Sequence, residues 1–60
     1  MEEVVDVYQD CDIWYAEDDG SGHVWFTHDE SGYQSDLYAA ASKEDAIAFG
    51  RELVDKYRPR

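Results

Sequence analysis

At Ser42 the hydrophobic period of this chain changes, and that change constrains the fold more than any other feature. From Ser42 to Tyr57 the sequence reads SKEDAIAFGRELVDKY. Advancing about 100° per residue, Ala46, Ile47, Phe49, Gly50, Leu53, Val54 and Tyr57 fall on one arc. Ala48, Arg51, Glu52, Asp55 and Lys56 fall on the other. Ser42 suits the N-cap, because its hydroxyl accepts from a free backbone N–H of the first turn. Glu44 and Asp45 set negative charge at the positive end of the helix dipole. Pro59 stops the helix. Arg51 and Asp55, and Glu52 and Lys56, are opposite charges four apart and read as weak intrahelical pairs.

Before Ser42 the period is that of strands and turns. Residues 2–9, EEVVDVYQ, read as a first strand or as a loosely held arm. Asp10, Cys11 and Asp12 break the pattern as a turn. Ile13–Glu17 reads as a strand. The run EDDGSG from Glu17 to Gly22 is a turn in which Gly20 and Gly22 supply positive φ. HVWFTH, His23–His28, is the clearest strand, rich in aromatic and β-branched residues. DESG, Asp29–Gly32, turns the chain again, and Tyr33–Ala41 is a further strand that gives way to small residues. Short connections pair strands in sequence order. The chain is expected to be one small α+β domain over residues 1–60. A three- or four-stranded antiparallel meander over 13–41 carries one C-terminal helix, 42–57, packed on one face.

Strand alternation divides the residues between two faces. The consistent assignment puts Ile13, Tyr15, Val24, Phe26, Leu37 and Ala39 under the helix. Gly50, near the middle of the apolar arc, lets helix and sheet approach closely. Trp14, Trp25 and Tyr38 are then left on the face the helix does not cover. Such a face is either closed by long neighbouring side chains or by the N-terminal arm, or it is a contact surface, since large exposed apolar patches mark contacts. Trp14, Trp25 and Tyr38 are the candidate interface residues.

Size and charge limit the alternatives. A domain of 60 residues buries only about 60% of its unfolded surface. Cys11 is the only cysteine, so no disulfide supplements the core, and no Cys/His cluster has metal spacing. Oligomerisation, as a homodimer, or a protein partner is the expected supplement. The 15 acidic and 5 basic residues give a formal charge of −10. That excess disfavours direct contact with a phosphate backbone, which needs clustered Lys and Arg. It also resembles proteins of salt-accumulating archaea, which stay soluble where salt screens their charge. The nine aromatic residues, two Trp, five Tyr and two Phe, supply burial that disordered chains lack. Met1 is followed by Glu2 and Glu3 rather than by a basic and then apolar signal, and one unpaired cysteine suits a reducing compartment, so a cytoplasmic location is expected.

No arrangement points to catalysis, a metal or a cofactor. His23 and His28, five apart on one strand, point to opposite faces and read as solvent-facing hairpin ends. Cys11 lies between two aspartates, which disfavour its thiolate. Glu17, Asp18 and Asp19 lack the ligand spacing of a calcium loop and read as a solvated turn. The chain is expected to be a non-enzymatic, self-associating protein–protein interaction module.

The run GHVWFTHDESGYQSDLYAAASKEDAIAFGREL, Gly22 to Leu53, resembles HicB-like antitoxin domains. HVWFTHD stands for their strand and aspartate-containing turn, and SKEDAI for their helix start. It is also similar to a prokaryotic domain of unknown function with a G-W-x-V strand and a T-x-x-E-A-I helix start. Both resemblances imply a strand–strand–strand–helix order. The first implies an alternative role, neutralising a small ribonuclease toxin. The proline-containing turn common in HicB-like domains has no counterpart here.

Overall fold

The structure, a computed structural model, describes residues 1–59. Four strands, β1 (Glu2–Tyr8), β2 (Cys11–Asp18), β3 (Ser21–His28) and β4 (Tyr38–Ala39), precede one helix, α1 (Lys43–Tyr57). The strands lie in the order β1-β2-β3-β4, each antiparallel to its neighbour. The expected meander with one C-terminal helix is present, and residues 2–8 form a strand rather than an arm.

The first two hairpins are tight. Gln9 and Asp10 connect β1 to β2 with φ of 48° and 65°, and Asp19 and Gly20 connect β2 to β3 with φ of 51° and 77°. Two successive positive φ values match the right-handed twist of the strands they join. The first turn therefore lies at Gln9–Asp10, one residue before the expected Asp10–Asp12. Cys11 begins β2 instead. Gly22 does not supply a positive φ as expected. It lies within β3, where a Cβ would overlap the Ala40 carbonyl oxygen and meet the Tyr15 ring.

Two irregularities decide which side chains face which way. In β1, Val4 pairs with Trp14 and Asp6 with Ile13, so Val5 is an extra residue. This bulge lets both Val5 and Tyr8 pack on the core while Val4 and Val7 face away. Beyond β3, Thr27 bridges to Gln34, but Val24 pairs with Tyr38. Three steps along β3 are matched by four along the returning chain. Ser35 closes this second bulge: its N–H donates to the Phe26 carbonyl at 2.9 Å, and its hydroxyl accepts from the Phe26 N–H at 2.9 Å. One extra residue reverses the parity of everything after it. Leu37 and Ala39, expected under the helix, are therefore exposed on the opposite face. Tyr38 and Ala40 take the helix side.

The core lies between the sheet and α1. Cys11, Ile13, Val24, Phe26 and Val54 are fully buried, and Tyr15, Ala40, Ala46 and Leu53 complete the cluster. Gly50 is buried against Ile13, and a Cβ there would overlap Ile13 Cγ2. The helix is capped at its start by the Ser42 hydroxyl, which accepts from Asp45 N at 3.1 Å. The Asp45 carboxylate in turn accepts from Ala41 N–H at 2.9 Å.

Three ion pairs fasten α1 and the residue after it to β1 and its turn. They are Lys43–Glu3 at 2.5 Å, Arg51–Asp6 at 2.7 Å and Arg58–Asp10 at 3.1 Å. The intrahelical pair expected for Arg51 gives way to this cross-element one, and Asp55 instead accepts from Tyr8 Oη at 3.0 Å. The bond from Arg51 holds the Asp6 carboxyl below its ordinary range.

Candidate interaction surface

Strand pairing assembles the outer face of the sheet from residues far apart in sequence. Val4 lies opposite Trp14, and Trp14 lies opposite Trp25. Leu37 adjoins them through the second bulge and lines the same groove. One apolar row thus crosses from β1 to the residue preceding β4. Val4, Val7 and Leu37 are 43%, 65% and 58% exposed, and all three lie on this face. The Trp14 and Trp25 rings are stacked, with centroids 6.0 Å apart and planes 5° from parallel. Such a cross-strand aromatic pair stabilises the hairpin as well as shaping its surface. The Trp14 indole N–H donates to Thr27 Oγ1 at 3.0 Å, so its polar edge is satisfied without water.

Trp14 and Trp25 are where alternation placed them, though Trp25 is only 8% exposed because its neighbours close over it. Tyr38 is not. It lies on the helix side and meets Phe49 edge-on, with centroids 5.7 Å apart and planes at 77°. Burial pushes its hydroxyl pKa up, and Tyr57 adds to the shift. The bulge at Ser35 is the cause, and Leu37 takes the place expected for Tyr38. Val4 and Val7 take no face in the sequence reading, because residues 2–9 read equally as a strand or an arm. The signal for Val4 is local, since Val4 and Val5 are consecutive and a strand must turn one of them outward; Val7 shares the parity of Val5 and faces out only because of the bulge.

Beside the tryptophans the face opens into a shallow groove of about 450 Å³. Ala16 forms part of its floor, and its small side chain leaves the space. Glu2 and His23 lie directly across from Ala16 on β1 and β3, and Trp14 and Asp18 lie two residues to either side along β2. Glu2, Trp14, Asp18, His23 and Trp25 all line the groove, and no lysine or arginine among the described residues does.

His23 and His28 point to opposite faces as expected. His28 is not solvent-facing, however. It is 7% exposed, and its Nδ1 lies 2.7 Å from Ser31 Oγ. Its strand partner is Cys11. Cys11 is fully buried, and its thiol pKa is raised, chiefly by desolvation, with Asp29, Asp10 and Asp12 adding to the shift. A thiol without solvent contact and with its ionisation suppressed is not activated as a nucleophile. Among the described residues, no three His, Cys, Asp or Glu side chains converge as a metal site. No described helix is long and apolar enough to cross a membrane.

Fold and surface together define a small open-faced α+β protein, its sheet covered on one side by a helix and presenting a tryptophan row on the other. No protein family, curated protein or solved structure matches the chain.

Proposed function

We propose that the chain is a small non-enzymatic protein–protein interaction module that docks through the outer face of its sheet. The observation behind this reading is the cross-strand row Val4–Trp14–Trp25–Leu37, with its aliphatic ends exposed on the face that α1 leaves uncovered. A one-helix, one-sheet domain has no second layer of its own to place there. Burying roughly 300 Å² of apolar surface per partner contributes on the order of 7 kcal/mol gross. Association costs of several kcal/mol reduce that figure, so docking depends on close packing of the rings.

Two occupants suit such a face: a second copy, related by a two-fold axis, and a different protein. The charge of −10 opposes the first at low salt and keeps the chain soluble at high salt. Sedimentation velocity in low and molar salt, with capture of partners from the host in its own salt, tests the reading. Leu37→Asp should abolish association while preserving the fold, and Trp14→Ser should abolish it at some cost in stability, because it also removes the stacked pair. Association of the parent that neither substitution alters would refute docking through this face.

A further inference from the structure

We infer that the outer groove receives a basic protein segment, an arginine or lysine side chain lying against Trp14 beside the carboxylates of Glu2 and Asp18. The inference rests on the interaction reading and names the chemistry of the partner. Three observations support it.

The first is the composition of the groove wall. Around Ala16 stand two carboxylates and the stacked tryptophan pair, Trp14 two residues along β2 and Trp25 diagonal to Ala16 on β3. An aromatic face attracts a cation through its quadrupole, tryptophan most strongly. A carboxylate beside it supplies charge-assisted hydrogen bonds.

The second is that the same arrangement exists, already filled, on the other side of the sheet. Arg51 lies over the Tyr8 ring with its guanidinium carbon 5.2 Å from the centroid, and its Nε is 2.7 Å from Asp6. There the helix supplies the cation. On the outer face the aromatic ring and the carboxylates are present, and no described residue supplies the cation.

The third is the distribution of charge. Lys43, Arg51 and Arg58 are paired with Glu3, Asp6 and Asp10, on β1 and its turn. Glu2, Asp12 and Asp18 share the outer face with Trp14 by strand parity, without a described counterion. A two-fold contact between copies sets a patch against itself. It would bring this acidic rim against an identical one. A basic segment neutralises the rim instead, and the two occupants differ in the sign of their salt dependence.

The test uses the full chain and two synthetic peptides, acetyl-Leu-Arg-Leu-Arg-Leu-Arg-Leu-amide and the same peptide with citrulline for arginine. In an extended peptide the arginines share one face. Calorimetry and indole N–H shifts by NMR give the affinities and the location. The arginine peptide should bind at least ten-fold tighter than the citrulline peptide. It should shift the Trp14 indole resonance and weaken as salt rises. Glu2→Gln and Asp18→Asn, both exposed, should each weaken it several-fold, and Glu52→Gln on the helix should not. Equal affinity for both peptides, an equal effect of Glu52→Gln, or no binding overturns the inference. Suppose the parent dimerises more strongly in high salt, Leu37→Asp dissolves the dimer, and the arginine peptide does not compete. A second copy is then the occupant, and the interaction reading survives without this inference. If no association of any kind touches the face, both fall.

Discussion

Replacing Gly50 with alanine separates helix propensity from helix–sheet packing, because here the two have opposite signs. In an exposed helix the substitution stabilises by about 1 kcal/mol. At Gly50 the new methyl overlaps Ile13 Cγ2, with Ile13 Cδ1 and Cγ1 only 3.1 and 3.2 Å away. Ile13 is fully buried in β2 between β1 and β3, so it has little room to yield. Overpacking of this kind costs about 1–3 kcal/mol. The expected net effect of Gly50→Ala is a loss of about 1 kcal/mol, a fall in Tm of roughly 4–8 °C for a domain of this size. Ala48→Gly, on the exposed side of the same helix, removes propensity alone and calibrates that part. The decisive comparison adds Ile13→Ala, which costs about 2–5 kcal/mol by itself. In that background the overlap is gone, and Gly50→Ala should stabilise by about 1 kcal/mol. Urea titrations followed by circular dichroism at 222 nm measure all four corners of this cycle. Additive substitutions, or a stabilising Gly50→Ala in the parent, would refute the close-approach argument.

Four further outcomes are expected. Leu37→Asp should leave the unfolding free energy within about 0.5 kcal/mol of the parent's, as for other exposed positions. Tyr38→Ala, which removes the contact with Phe49, should lower it; the reverse order would mean that the bulge at Ser35 is misplaced. The Asp6 carboxyl has a native pKa below its ordinary 3.8, so its contribution is complete above that value and is lost as pH falls through the depressed one. The stability difference between the parent and Asp6→Asn should therefore be constant above about pH 5 and shrink progressively as pH falls below about pH 4, and a difference that stays constant or grows on acidification would contradict it. Cys11 should resist iodoacetamide in the native state and react only at the rate of unfolding; rapid labelling without unfolding would show that the thiol is not sealed in the core.

Local patterning was enough to reveal the helix, the meander and half of the surface. The period change at Ser42 located α1 because capping and the apolar arc are properties of neighbouring residues. HVWFTH declared itself a strand by composition, and its alternation placed Trp25 outward and Val24 and Phe26 inward. Trp14 followed by the same rule, because β2 and β3 pair without interruption over eight residues each. Gly50 was legible as a point of close approach because a glycine in an apolar arc leaves space that something must fill. The assignment of Leu37, Ala39 and Tyr38 depended on tertiary structure. Alternation predicts faces only while strand pairing stays regular, and one extra residue exchanges them. What fixes that residue is the bonding of Ser35 to Phe26, nine positions away, in a stretch whose sequence also reads as an unbroken strand. The ion pairs were hidden for the same reason: Arg51 has Asp55 one turn away, yet it reaches 45 residues back to Asp6 once α1 lies across β1. The groove around Ala16 likewise exists only after three strands bring Glu2, Asp18 and His23 beside the tryptophans. Sequence periodicity determines which elements form and which faces they offer, whereas register, a long-range property of hydrogen bonding, decides which side chains share a face.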